Sequence, residues 1–167
     1  MRMARRFQTR LLKLNSLLVR AKLRVLGAKI GNGFFAFRRC TVYNAQNLLI
    51  GHHVFINDNF WCNAKGGVRI GDDTLIGPGV VIHSSNHVFS DTAVLIRLQG
   101  HTDAPVMIGS NVWLAAGCII LPGSVVPSHS VIAAGAVVNR PLDRAGVYGG
   151  VPAALIRELN RADEHQL

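Results

Sequence analysis

An aliphatic or small residue recurs at every sixth position over most of this chain. The longest unbroken series begins at Ile108 and ends at Val138, and shorter series occupy the residues before it. A helix repeats about every 3.6 residues and a strand about every 2, so neither produces a sustained period of six. The positions are Ile30, Ala36, Val42, Ile50, Ile56, Cys62, Ile70, Ile76, Ile82, Ile108, Leu114, Ile120, Val126, Ile132 and Val138.

The residue three places after each of these positions is usually of a type that tolerates a positive φ. Glycine adopts such a backbone freely, and Asn, Asp and His are the other types enriched there. Each six-residue unit is therefore predicted to be a short strand with inward side chains, followed by a sharp corner. Three units close one triangular coil, and stacked coils bury a continuous aliphatic column, which makes an all-β solenoid. The predicted corner residues are Gly33, His53, Asn59, Asp73, Gly79, Asn111, Gly117, Gly123, His129 and Gly135.

The formal charge of +9 belongs to one end of the sequence. Nine of the 18 Lys and Arg residues lie in residues 1–29, which contain no acid. The other nine are balanced by the nine Asp and Glu residues, so the basic charge says nothing about the substrate of the body. No aromatic interleaving or base-reading element accompanies the charge, and nucleic-acid binding is not expected.

The basic segment is predicted to contain an amphipathic helix over residues 4–26. Its apolar stripe is expected to cap the open end of the solenoid, with the cations on the opposite side. That cationic side also predicts a second role, contact with anionic lipid or with a lipid-linked glycan. The stripe consists of Phe7, Leu11, Leu14, Leu18, Ala21 and Val25, and the cations are Arg6, Arg10, Lys13, Arg20 and Arg24.

The three cysteines are Cys40, Cys62 and Cys118, an odd number without CxxC spacing. This pattern argues against a disulfide framework and against a structural zinc site, and it fits a reducing compartment. No run approaches the length of a transmembrane helix, and the amino terminus lacks the apolar core of a signal peptide. A cytoplasmic chain is expected, with peripheral association at the inner face of the membrane as the second role of the basic helix.

The sequence divides into a basic helix (1–29), a solenoid (30–150) and a C-terminal cap with a short helical segment and a tail (151–167). Within the solenoid the six-residue period fails over about residues 83–107. A long irregular excursion from a regular solenoid is usually functional or disordered. The excursion is therefore the first place to look for a site.

Units such as IGDDTL, IGPGVV, IGSNVW and LAAGCI resemble the repeats of the hexapeptide-repeat acyltransferases. The resemblance covers roughly residues 30–157. It implies a left-handed parallel β-helix, acetyl-CoA as acyl donor, no metal, and a homotrimer whose sites lie between neighbouring subunits.

In the family, a catalytic His stands where the excursion begins, and His87 occupies that place in this sequence. An imidazole with a pKa near neutrality suits the removal of a proton from a hydroxyl that attacks a thioester. His83 and His101 lie in the same excursion and are weaker candidates, either to orient His87 or to contact substrate.

For the acceptor, the resemblance implies a role for Asn57, which matches an Asn that contacts the sugar in this family. Asn at a corner is also ordinary turn chemistry. A family Asp that holds the acceptor in maltose- and galactoside-type enzymes aligns with Ala64, which speaks against those two acceptors. Trp61 is a candidate stacking surface for a sugar ring, or a residue of a subunit contact.

For the donor, the resemblance places Trp113 beside the pantetheine arm and the amide of Ala116 at the oxyanion. The side chain of Ala134, one coil later, is small enough for a close approach of pantetheine. Three further positions match CoA contacts, Asn139, Arg140 and Arg157, whereas Ala154 replaces a usual cation.

These features predict an acetyl-CoA-dependent O-acetyltransferase that acts on a sugar hydroxyl. The stretch LQGHTDAPVMIGSNVWLAAG looks most like enzymes that acetylate lipopolysaccharide or other cell-surface polysaccharides. Serine or xenobiotic acetyl transfer on the same fold is the alternative within the family. A metal enzyme similar to γ-carbonic anhydrases and a non-catalytic scaffold are the alternatives outside it.

Overall fold

The computed structural model describes residues 2–37 and 39–159, with side chains from residue 10 onward. One helix, α1 (Arg2–Val25), precedes a three-sided parallel β-solenoid with five complete coils. Face A contains β1 (Lys29–Ile30), β4 (Leu48–Ile50), β7 (Val68–Ile70), β12 (Val106–Ile108) and β15 (Val125–Val126). Face B contains β2 (Phe35–Ala36), β5 (Phe55–Ile56), β8 (Leu75–Ile76), β13 (Trp113–Leu114) and β16 (Val131–Ile132). Face C contains β3 (Cys40–Tyr43), β6 (Phe60–Asn63), β9 (Val81–His83), β14 (Ile119–Ile120) and β17 (Val137–Val138).

The inward column is the one that the six-residue period predicts. Equivalent residues of successive coils are in register, as in the pairs Ile50 with Ile70 and Ile70 with Ile108. Of the fifteen predicted inward residues, fourteen are buried, and Val42 is half-buried. Because each coil buries its side chains only against its neighbours, the strands are held in place by the stack as a whole.

The corners also agree with the prediction. All ten predicted corner residues have a positive φ, which ranges from 52° at Asn111 to 79° at Gly123. A residue with φ in this range turns the chain sharply without lengthening the corner, so each coil can close after three short strands.

Helix α1 covers the open edge of the first coil. The strand carbonyls of each later coil accept hydrogen bonds from N–H groups of the coil before it, whereas no earlier coil supplies such donors to the strand carbonyls of the first coil. The guanidinium groups of Arg20 and Arg24 donate to the carbonyls of Gly31 and Ile30, at 2.9 and 2.8 Å. No helix in the described part of the chain is long and apolar enough to cross a bilayer.

The face by which α1 packs differs from the prediction. Ser16 and Leu23 are buried against the first coil, and the Ser16 hydroxyl accepts a hydrogen bond of 3.0 Å from the N–H of Ala36. The predicted apolar stripe instead faces away from the solenoid: Leu14 and Leu18 are exposed. The reason is that an open coil edge presents polar backbone groups, which need Arg and Ser side chains rather than leucines. The side chain of Phe7 lies outside the described residues.

The C-terminal segment caps the last coil with strands. Strand β18 (Gly146–Gly149) extends face B, and β19 (Ala154–Glu158) pairs with it in an antiparallel arrangement. The helical segment predicted after residue 150 is therefore a strand over residues 154–158, because these residues complete a sheet edge. The tail from residue 160 lies outside the described residues.

The three thiols give a test of the packing. Burial raises the pKa of each of Cys40, Cys62 and Cys118 to about 12, from 9.0. The folded state therefore holds these protons more tightly than the unfolded state does. The contribution of these thiols to the free energy of unfolding is present in full below pH 9 and is lost as the pH rises from 9 towards 12. We expect the urea midpoint to decrease over this range, and we expect a Cys62→Ala variant to show a flatter decrease. An identical slope for the variant would contradict the burial of this thiol.

Candidate functional site

The excursion between β9 and β12 contains a small hairpin. Strand β10 (Ser85–His87) pairs with β11 (His101–Asp103), and His87 lies directly opposite His101. Their imidazole centroids are 4.3 Å apart, and both side chains are exposed. The structure thus brings together two of the histidines that the sequence singles out.

Ser84 holds the base of this hairpin on the preceding coil. Its side chain is fully buried, and its hydroxyl donates to the carbonyl of Asn63 at 2.8 Å and accepts from the N–H of Gly66 at 2.9 Å. Its own carbonyl accepts from the N–H of Ala104 at 3.0 Å, where the excursion returns. A salt bridge of 3.6 Å between Lys65 and Asp103 adds a second tie.

We expect Ser84→Ala to lower the free energy of unfolding by about 1–3 kcal/mol, because the Gly66 N–H loses its acceptor. Urea unfolding measures this effect, and limited proteolysis should show faster cleavage within the excursion. Ser90→Ala, which changes an exposed serine of the same excursion, is the matched control. Equal stability of the two variants would mean that Ser84 does not anchor the hairpin.

A cavity of about 410 Å³ opens between the hairpin and the outer surface of face C. Three rings form its aromatic side, with Trp61 in the middle. The centroid of the Trp61 ring is 5.7 Å from that of Tyr43 and 5.2 Å from that of His83. Ser85 lines the cavity, and its buried hydroxyl has no hydrogen-bond partner among the described residues. The full lining is Tyr43, Asn44, Trp61, Asn63, Lys65, His83, Ser85, Asn86, His87 and His101.

The predicted oxyanion amide lies elsewhere on the coil. Ala116 is at a corner between faces B and C, whereas His87 is at the corner between faces C and A. The register of β8, β13 and β16 stacks Pro78, Ala116 and Ala134 at one corner. Proline has no N–H, and the N–H groups of Ala116 and Ala134 have no acceptor among the described residues. This corner therefore presents two free backbone donors.

Trp113 lies on face B beside this corner, and its side chain is 47% exposed. Ala134 and Ala116 are both exposed, with small side chains that leave the edge open. Arg157 lies on β19, which extends the same face. Asn139 and Arg140 are exposed but follow β17, at the corner between faces C and A. The residues predicted to bind the acyl donor thus lie at two different corners of the solenoid, the one between faces B and C and the one between faces C and A.

Asn57 does not reach the cavity that contains His87 within one chain. It lies at the corner between faces B and C, where its Oδ1 accepts a 2.8 Å hydrogen bond from the N–H of Asp58. Ala64 is fully buried, so its side chain cannot face an acceptor. Trp61 is the predicted acceptor residue that the structure places beside His87.

Sequence reasoning missed Tyr43, Asn63 and Lys65 as lining residues. Tyr43 and Asn63 stack in register below His83 on face C. The signal was present as strand alternation, since the inward residues Val42 and Cys62 alternate with these outward ones. It becomes readable only when the register between coils is known.

Among the residues that the structure describes, no three His, Cys, Asp or Glu side chains lie close enough to hold a metal ion. The site is therefore described by its imidazoles, aromatic rings and backbone donors.

Comparison with known proteins supports the prediction of six-residue repeats. The pattern of the family "Bacterial transferase hexapeptide (six repeats)" matches residues 105–140. A galactoside O-acetyltransferase of Escherichia coli (strain K12) is 34% identical over 121 residues, which cover 72% of this chain and 58% of that protein. The chain spans about three fifths of the length of the first curated relatives it matches.

Two solved structures show the same fold. A galactoside acetyltransferase in complex with coenzyme A has a TM-score of 0.71 at 27% identity, covering 92% of this chain and 85% of that chain. A hexapeptide-repeat acetyltransferase of Vibrio cholerae O1 biovar eltor, complexed with acetyl coenzyme A, has a TM-score of 0.66 at 27% identity, covering 84% and 75%. The prediction of a left-handed parallel β-helix is confirmed. In sequence over the matched residues and in fold, the chain is similar to the hexapeptide-repeat acetyltransferases.

Proposed function

We propose that this protein is an acetyl-CoA-dependent O-acetyltransferase whose acceptor is a sugar hydroxyl. The observation that carries the proposal is the cavity in which the exposed imidazole of His87 stands beside the aromatic surface of Trp61 and Tyr43. A sugar ring has apolar faces that stack on aromatic rings and hydroxyls that need hydrogen-bond partners.

His87 is the proposed general base. Its free ring nitrogen takes the proton of the acceptor hydroxyl as the oxygen attacks the thioester carbonyl. The Ala116 N–H donates to the oxygen that becomes negative in the tetrahedral intermediate. When the C–S bond breaks, the thiolate takes the proton from His87, so an ester and free CoA thiol leave a neutral imidazole.

The acceptor is held by groups that surround His87. Trp61 and Tyr43 supply the stacking surface, and Asn86 and Lys65 supply polar contacts at the rim of the cavity. The unpartnered hydroxyl of Ser85 offers a further hydrogen bond, since a buried hydroxyl without a partner is unusual in a folded protein.

The base and the oxyanion donor lie at different corners of the same coil stack. Strands of face C separate these corners, and three residues of such a strand span about 10 Å. One chain therefore does not assemble a complete site. A ring of identical subunits would place the His87 corner of one copy against the Ala116 corner of the next, and a homotrimer closes such a ring.

The acceptor class is proposed to be a cell-surface polysaccharide or lipopolysaccharide sugar. The side chain of Ala64 is buried and does not line the cavity, so it neither favours nor excludes a galactoside or maltose acceptor. The neighbouring Lys65 presents an ammonium to the cavity, although Asp103 partly neutralises it.

Release of CoA thiol from acetyl-CoA, measured with a panel of sugar and glycan acceptors, tests the proposal. Acceptor-dependent release, with an O-acetyl ester found in the product by mass spectrometry, supports it. Absence of release with every acceptor, together with no CoA binding by calorimetry, contradicts the proposal and favours a non-catalytic scaffold.

A further inference from the structure

The outer face of α1 is an apolar surface without a partner among the described residues. In a helix, residues three, four and seven apart share one face. Leu11, Leu14, Leu18 and Val25 follow this spacing, and Leu14 is 53%, Leu18 61% and Val25 87% exposed. They lie directly opposite Leu23, which is buried against the first coil. The side of α1 that faces away from the solenoid therefore presents four exposed apolar side chains.

Cations border this apolar surface. Arg10, Lys13 and Lys22 are exposed on α1, and residues 1–29 contain no acid. Arg20 and Arg24 are occupied by backbone carbonyls of the first coil, so they belong to the cap. The outer surface of α1 thus combines leucines with ammonium and guanidinium groups and contains nothing negative.

We propose that this outer surface of α1 docks on an anionic lipid bilayer, with the helix lying in the plane of the interface. Apolar side chains of such a helix enter the boundary between headgroups and acyl chains, while the flanking cations contact lipid phosphates. A second copy of this chain fits the surface less well, because two helices without a single acid would bring like charges together.

The position of α1 in the fold agrees with this orientation. The helix covers the first coil, and the cavity beside His87 is lined from the first three coils by Tyr43, Trp61 and His83. Adjacent coils are about 4.8 Å apart, so this cavity lies within roughly 10 Å of the level of the first coil. The free amides of Ala116 and Ala134 are on the fourth and fifth coils, one and two coils further from α1 than His83. A docked protein would hold its acceptor cavity near the lipid surface and its donor corner towards water.

Vesicle co-sedimentation of the full chain tests the proposal without any acyl transfer. We expect binding to phosphatidylcholine vesicles that contain about 30% phosphatidylglycerol, weak binding to pure phosphatidylcholine, and loss of binding at high salt. Leu14→Glu/Leu18→Glu should bind at least about tenfold more weakly. The matched control is Leu95→Glu/Leu98→Glu, which places the same charges on exposed leucines of the excursion and should bind as the wild type does.

Lys13→Gln/Lys22→Gln is a second variant that leaves the apolar surface intact, and it should weaken binding several-fold. Equal binding by the wild type and the α1 variants overturns the proposal, as does equal binding to neutral and anionic vesicles. A smaller oligomer of Leu14→Glu/Leu18→Glu in light scattering also overturns it, because the surface would then hold a second copy. Because the assay contains no acetyl-CoA, it can fail or succeed independently of the proposed enzyme activity.

Discussion

We expect His87→Ala to lower kcat for acetyl transfer by about 10²- to 10⁴-fold, which is the range for loss of a general base. The reason is geometric: His87 is the exposed imidazole at the mouth of a cavity lined by aromatic rings. Its removal leaves the stacking surface and the predicted donor residues intact. The KM values for acetyl-CoA and for the acceptor should therefore change much less than kcat. Steady-state thiol release, with each substrate varied in turn while the other is saturating, measures all three quantities.

Two controls separate the base from its neighbours. His53→Asn removes an exposed imidazole at a corner between faces A and B, and Asn tolerates the positive φ of 54° at that position. This variant should retain wild-type kcat. His101→Ala removes the ring 4.3 Å from His87 and tests whether His101 positions it. If His87→Ala turned over as fast as His53→Asn, another group would be the base.

Much of the fold could be predicted from the sequence because a solenoid repeats one local rule. Inward residues such as Ile70 and Ile108 and corner residues such as Asn111 each report on their own unit, independently of distant contacts. Periodicity therefore fixes the coil, and the family resemblance supplies its handedness. No long-range pairing has to be guessed.

The orientation of α1 could not be predicted in this way. An amphipathic pattern normally turns its apolar side inwards, and Leu14 and Leu18 would be expected to pack. The open coil edge overrides this preference, since the carbonyls of Ile30 and Gly31 need donors from Arg24 and Arg20. Sequence periodicity contains no information about unpaired backbone groups at the end of a stack.

The candidate site was only partly predictable for a related reason. His87 and Trp61 stand out in the sequence by residue type and place, whereas Tyr43 reaches the cavity through coil register. Ala116 and His87 lie at different corners of the coil. The sequence does not show this, because the same residue types recur at the corners on all three edges. Whether His87 and Ala116 contribute to the same site depends on how neighbouring copies of the chain pack, which the sequence of one chain does not show.

We expect two inactive variants to restore activity when they share a trimer. Ala116→Pro removes the proposed oxyanion N–H, and it should lower kcat by about 10²- to 10³-fold. The backbone at this corner accepts proline, because Pro78 occupies the equivalent position one coil earlier. Ala116→Ser, which keeps the N–H, is the matched control and should remain active.

Co-expression of His87→Ala with Ala116→Pro in equal amounts gives mixed trimers. In a cyclic trimer, each mixed assembly has one interface at which an intact His87 meets an intact Ala116. Three quarters of randomly assembled trimers are mixed, and one site in three is whole in each, so about a quarter of the wild-type activity should return.

The amount recovered distinguishes the possible arrangements of the site. Separately purified variants that are combined without subunit exchange should stay inactive, which controls for reversion. Recovery of about a quarter after co-expression requires that the base and the amide come from different copies. If both came from one chain, every subunit of every mixed trimer would carry one defect, and the mixture would be no more active than its parents. Such a result would place the oxyanion donor within reach of His87 in a single subunit and would remove the trimer from the mechanism.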